Sequence, residues 1–197
     1  MLISFPARLC YLAGPKTGST AIEDQLRPVS SVVLQGTAHA KHLNVREYRA
    51  LLGPLLQHIN VPPPDLCAVM RHPMDWIRSW YRYRQRDGES PGMSTRDIDF
   101  ETFVDGFLAD EKPVFTHYIG TQYDFLRDED GEVRVDHLFR YDDIDAFYRF
   151  LGERFQRPFE FRQMNVSPRV DVVISVDAQM RLERAFARDY ELYHRLT

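Results

Sequence analysis

The chain has 197 residues, of which 44% are hydrophobic, 13% aromatic and 27% charged. These proportions suit one domain with a buried core, and the aromatic content with a net charge of only −4 excludes a chain disordered throughout. The acidic balance excludes a general nucleic-acid coat, so any anion the protein binds is held by a local site rather than by an overall positive field.

Cys10 and Cys67 stand in the apolar runs LCYLAG and LCAVM and read as buried thiols rather than as a disulfide. No zinc-ligand spacing occurs. Pro6 and Arg8 break the only candidate for the apolar core of a leader, and no run approaches the ~18 to 20 apolar residues of a membrane span. The expectation is a cytoplasmic protein with no membrane and no nucleic-acid partner.

In chain order, Arg8–Ala13 predicts a buried strand bounded by Pro6 and by GPKTG. Gly18–Leu26 predicts a helix ended by Arg27 and Pro28, and Ser31–Leu34 a second strand. Asn44 followed by Glu47 resembles a capping box. Leu51, Leu52, Leu55 and Leu56 continue an apolar helical face, which Gly53-Pro54 interrupts or ends. Beyond the break at Pro62–Pro64, Leu66–Met70 is the clearest buried strand, and Pro73 suits the start of the next helix. Arg86–Asp97 reads as a mobile polar loop, and Asp99–Leu108 as a helix capped by Asp99. Tyr123–Leu126 and Val133–Phe139, joined by DEDG, predict a hairpin. Asp142–Phe155 and Asp177–Tyr193 read as amphipathic helices. Strands alternate with helices in the first half, which predicts an α/β fold with a mainly parallel sheet and a mostly helical C-terminal part, in a single domain over 1–197.

Gly14-Pro15-Lys16-Thr17-Gly18-Ser19-Thr20 follows a strand and opens a helix, where backbone N–H groups and the helix dipole can hold an anion. The alternative is a plain strand-to-helix turn with a solvated lysine. It is not a Walker A loop: Lys16 precedes Gly18, and no lysine holds the later position that pattern needs. Arg71 sits at the end of the LCAVM strand and Ser79 eight residues later, so both could meet a phosphate. The plainer reading makes Arg71 a surface ion-pair partner and Ser79 a packing residue. Two anion sites at the C-terminal ends of strands suggest a ligand with two separated anionic groups.

On PKTGST and RHPMDWIRSWY together, the sequence resembles the sulfotransferases that use 3′-phosphoadenosine 5′-phosphosulfate (PAPS), in their carbohydrate-type and bacterial branch. HLFRYDDI, NVSP and the acidic helix ending near DYELY agree more loosely. The resemblance implies a P-loop-like three-layer fold, with the central sheet flanked by helices. It implies that Lys16, Thr17, Gly18, Ser19 and Thr20 hold the 5′-phosphosulfate. It also implies that Arg71 and Ser79 hold the 3′-phosphate, with Tyr81 in the accompanying aromatic place. Asn165 and Ser167 match a looser feature near the nucleotide. The chain departs from the family where many members carry an arginine five residues after the first; here that residue is Trp76, and arginine comes at Arg78. The clamp loop of the cytosolic members is not visible, and Arg162 and Arg169 are the arginines that could replace it.

Sulfuryl transfer needs positioned charge more than covalent help, and no metal is required in this scheme. Lys16 is placed to neutralise the leaving bisphosphate. Related carbohydrate sulfotransferases use a histidine as base in the region of HAKHLN; His42 matches that place better, His39 is the runner-up, and the alternative is that both are surface loop histidines. Lys41, between them, reads as solvated. Of the aromatic residues along the helix after Pro73, most are expected in the core, and the strip Arg78, Arg82, Arg84 and Arg86 reads as a solvated face. The expected activity is transfer of a sulfuryl group to a hydroxyl or amine of a small-molecule or carbohydrate acceptor. The competing readings are a P-loop-type nucleotide or metabolite kinase and a non-catalytic nucleotide-binding protein.

Overall fold

The structure, a computed structural model, describes residues 1–86, 88, 90–160 and 172–196. In chain order these form β1 (Leu2–Ser4), β2 (Leu9–Tyr11), α1 (Ser19–Leu26), β3 (Val32–Val33), α2 (Ala38–Lys41), α3 (Val45–Glu47), a π-helical turn (Tyr48–Leu52), α4 (Gly53–His58), β4 (Asp65–Met70), α5 (Pro73–Tyr83), α6 (Phe100–Leu108), α7 (Gln122–Leu126), β5 (His137–Arg140), α8 (Ile144–Phe155), α9 (Val176–Ala185) and α10 (Ala187–Arg195). They gather into two compact units: residues 1–71, 122–160 and 196 form the first, and residues 72–86, 88, 90–121 and 172–195 the second.

The first unit is α/β, with helices packed on a five-stranded sheet in the order β3-β1-β2-β4-β5. β4 runs parallel to β2 and β5, whereas β1 is antiparallel to β2 and β3. The sheet is therefore mixed, not mainly parallel. The difference arises at Pro6 and Arg8, which act as a turn: Arg8 is left-handed (φ 47°) and its N–H donates to Phe5 O at 3.1 Å. So short a connection permits only antiparallel pairing, which folds the buried residues Leu2–Ser4 back onto β2.

Side chains alternate across the sheet, and the register pairs Tyr11 with Cys67 but Cys10 with Leu66. Tyr11, Cys67 and Val69 share a core with Ile22 and Leu26 of α1 and with Phe147 and Leu151 of α8. Cys10 points to the opposite face, where Tyr48 lies near it. Both cysteines are buried free thiols, and facing opposite ways they cannot bridge. Burial pushes the Cys10 thiol up to about 12.

The capping box forms: Asn44 Oδ1 accepts from the Glu47 N–H at 3.0 Å, and Glu47 Oε2 accepts from the Asn44 N–H at 2.9 Å. Gly53-Pro54 does not end the helical path, because the wider π turn before it accommodates the missing proline donor. That turn splits the expected leucine face: Leu52 and Leu56 are buried, whereas Leu51 is 60% and Leu55 51% exposed.

The expected hairpin around DEDG is absent. Gln122–Leu126 is helical, only an isolated bridge joins Arg127 to Val133, and β5 pairs in parallel with β4 instead. The turn itself is held by the buried Asp128 carboxylate, which accepts the N–H groups of Asp130 and Glu132 and the guanidinium groups of Arg49 and Arg134. Burial opposes its ionisation, but Arg134 and the backbone donors keep the carboxyl below its ordinary value.

The second unit builds its own aromatic core from Trp76, Tyr81, Phe100, Phe103, Phe107 and Phe186. Asp99 caps α6, accepting from Thr102 N–H at 2.8 Å. The helix expected over Asp177–Tyr193 breaks at the buried Phe186, leaving α9 and α10 as separate elements. The arginine strip is not a uniformly solvated face: Arg84 is buried, donates to His117 O at 3.0 Å and lies over the Trp80 ring. Nor is the end of the polar segment free. Thr95 is buried, donates its hydroxyl to Tyr81 O at 2.8 Å, and its N–H reaches Arg84 O at 3.2 Å. Arg96 Nε donates to Gln85 O at 2.8 Å. These contacts satisfy carbonyls that the C-terminus of α5 would otherwise leave open. Among the described residues no helix is long and apolar enough to cross a membrane.

Two stability measurements follow from this packing. Phe147 is fully buried against Tyr11 and Phe139, so Phe147→Ala should cost about 3–5 kcal/mol in urea unfolding, and a loss near zero would contradict its place in the core. Thr95→Val keeps the shape but removes the hydroxyl donor, and should cost about 1–2 kcal/mol by the same method.

Candidate functional site

Because β2, β4 and β5 run parallel, the segments that follow them leave from one edge of the sheet, where open α/β sheets bind ligands. The segment after β2 is a tight turn. Gly14 N–H donates to Leu12 O at 2.9 Å, and the Thr17 hydroxyl donates to Gly14 O at 2.8 Å. Thr17 is thus buried and its side chain is spent inside the turn; toward a ligand it has only its backbone to offer.

Lys16 (φ 64°) and Gly18 (φ 74°) are both left-handed. Such a conformation costs a non-glycine residue about 1–2 kcal/mol, and its presence at Lys16 marks a turn whose shape is imposed. Gly18 needs glycine twice over, since a side chain there would come within 3.0 Å of the Tyr141 ring. Gly18 caps α1 without a side-chain hydrogen bond, and no acidic residue lies in the first turn. The first N–H groups of α1 have no acceptor within the helix, so the turn offers backbone donors and the positive pole of a helix, the features an anion site needs.

Two hydroxyls flank this pole, Ser19 buried and Thr20 exposed. Lys41 is not simply solvated. Its Nζ lies 2.8 Å from Glu23 Oε2 and donates to Thr20 Oγ1 at 3.3 Å. With its oxygen accepting from Lys41, Thr20 keeps its own hydrogen to donate.

Arg71 follows β4, just beyond the last paired residues, Met70 and Arg140. Its backbone is held by Gln122: the Arg71 N–H donates to Gln122 Oε1 and Gln122 Nε2 donates to Arg71 O, each at 2.8 Å. Its guanidinium lies over Tyr141, 4.8 Å from the ring centroid. Tyr141, the first residue past β5, therefore touches both Gly18 and Arg71. The sequence reading missed both Gln122 and Tyr141. Tyr141 carried a usable signal, its place two residues after the predicted strand Val133–Phe139, much as Arg71 follows Leu66–Met70. Gln122 carried none, because its partner lies 51 residues away.

The two candidate bases separate clearly. His39 is 76% exposed and 3.2 Å from Glu47. His42 is partly buried, and its Nδ1 lies 2.5 Å from Ala13 O, the residue before the turn. A carbonyl only accepts, so Nδ1 carries the hydrogen and Nε2 keeps its lone pair. Burial lowers the His42 pKa, more than the Ala13 hydrogen bond raises it. The arrangement is a neutral imidazole of fixed tautomer, anchored one residue from the turn at 14–18.

Ser79 and Tyr81 belong to the second unit, and both are buried on α5. The Tyr81 hydroxyl donates to Ile98 O at 2.8 Å and its ring packs on Phe100 and Phe103. Their part in a nucleotide site rests on the sequence motif alone. His72 meets Tyr190 and Tyr193 edge-on in the same unit. Arg162, Asn165, Ser167 and Arg169 lie outside the described residues. No protein-family model matches the chain, and neither a curated protein nor a solved structure matches it.

The His42 environment has a measurable consequence. Its imidazole should titrate by NMR with a midpoint below the ordinary 6.5, with Nδ1 protonated in the neutral form. The folded protein binds this proton less readily than the unfolded chain. His42 therefore contributes stability above pH 6.5 that is lost as the pH falls from there through the lowered value. A midpoint above 6.5 would contradict the burial that defines this site.

Proposed function

We propose that the protein is a PAPS-dependent sulfotransferase whose first unit is P-loop-like and whose donor lies along the C-terminal edge of β2, β4 and β5. The observation that carries this reading is the placement of the turn at 14–18 and Arg71 on neighbouring strand ends, with Tyr141 beside both. The donor set fits a nucleotide with two separated anionic groups. Backbone N–H groups, Ser19, Thr20 and Lys16 suit the 5′-phosphosulfate, and an arginine suits a compact 3′-phosphate.

The donor supplies the sulfuryl group, and the acceptor, a hydroxyl or amine and first of all that of a carbohydrate, supplies the atom that takes it. His42 receives the acceptor proton on Nε2, the nitrogen its bond to Ala13 leaves open. Lys16 and the turn donors meet the charge that builds on the departing 3′,5′-bisphosphate. Fixed donors of this kind need little reorganisation, which is why they are effective in transfer reactions with loose transition states.

Isothermal titration with 3′-phosphoadenosine 5′-phosphate, adenosine 5′-phosphate and ATP–Mg²⁺ tests the reading. The bisphosphate should bind most tightly, and Arg71→Ala should weaken it by about 10- to 100-fold, the loss expected of a charge-assisted contact. A preference for ATP–Mg²⁺ would overturn the assignment in favour of a kinase. Bisphosphate binding without sulfuryl transfer to any acceptor would favour a non-catalytic nucleotide-binding protein.

A further inference from the structure

The Gln122 side chain makes two reciprocal hydrogen bonds to one backbone residue, and that residue is Arg71. The strand ladder stops one residue earlier, at the pair Met70 and Arg140. Beyond it, the Arg71 N–H and C=O have no neighbouring strand to meet. A carboxamide carries the same donor and acceptor as a peptide group, so Gln122 continues the ladder for one residue with its side chain. Gln122 is itself only 5% exposed, which removes competition from water. The side chain of Arg71 meanwhile lies over Tyr141. Its backbone and guanidinium are thus restrained by different residues, and the backbone restraint sets the direction in which the side chain departs from the sheet.

We infer that Gln122 is a positioning residue for the second anion subsite, holding Arg71 in the orientation that selects a nucleotide bearing a 3′-phosphate. This inference rests on the proposed donor class and adds a residue that touches no ligand. A flexible arginine loses rotational freedom whenever it grips an anion, and part of that loss is removed when its backbone is already fixed. The contribution of Gln122 is therefore expressed only through Arg71. It affects discrimination between nucleotides with and without the 3′-phosphate, not affinity for the group bound at the turn.

The test is titration of wild type, Gln122→Ala, Arg71→Ala and the double variant with 3′-phosphoadenosine 5′-phosphate and with adenosine 5′-phosphate. Gln122→Ala should weaken the bisphosphate about tenfold, change the monophosphate less than twofold, and add nothing in the Arg71→Ala background. Equal losses for the two nucleotides, or full additivity with Arg71→Ala, overturn the inference, because a merely structural role would act on both. A wild type that binds the two nucleotides equally overturns the donor assignment and this inference together. A wild type that prefers the bisphosphate, beside a Gln122→Ala variant with unchanged preference, overturns the inference alone. Should Gln122→Ala lose its cooperative thermal transition, Gln122→Met carries the test, since it keeps the bulk and removes both hydrogen bonds. The same selective loss is expected, and retained discrimination overturns the inference.

Discussion

Strand β4 pairs in parallel with β2 on one side and β5 on the other, and the site depends on that double pairing. Parallel neighbours send their following segments out from the same end. The turn at 14–18, Arg71 and Tyr141 follow β2, β4 and β5 in turn, and so they meet although they are far apart in sequence. The pairing requires β4 to be buried on both faces, which its run of apolar residues from Leu66 to Met70 satisfies.

The site stores its order in backbone rather than in mobile side chains. Two left-handed residues shape the turn, Thr17 closes it internally, Gln122 fixes Arg71, and a carbonyl fixes the tautomer of His42. Each of these contacts removes a degree of freedom before any ligand arrives. An anion entering such a site finds donors already aimed, which is the condition under which electrostatic stabilisation is most effective. The strain at Lys16 is tolerable because the buried strand before the turn and α1 after it are both packed into the same core.

The second unit uses a different economy. Its helices are joined by aromatic contacts, and its polar loop is tied back onto the C-terminus of α5 by Thr95 and Arg96. Arg84 shows why an alternating basic strip is an unreliable sign of a solvated helix face. A guanidinium enters the interior when a carbonyl and an aromatic ring are there to receive it, as His117 O and Trp80 do here.

Local chemistry made much of this protein legible from its residues. The buried strands around LCYLA and LCAVM, the capping box at Asn44 and Glu47, the Asp99 cap and the turn between β2 and α1 all depend on neighbours within a few positions, and all could be read directly. So could the two free thiols. What required the tertiary structure was every decision about partners distant in sequence. The fold-back of Leu2–Ser4 made the sheet mixed, and β5 joined β4 rather than forming a hairpin. Lys41 found Glu23, His42 rather than His39 was anchored to Ala13, and Gln122 closed on Arg71. Residue type and spacing set what a segment can do by itself. Which of two similar histidines is buried, or which carboxamide meets which backbone, follows from how the whole chain packs, and no local pattern encodes it.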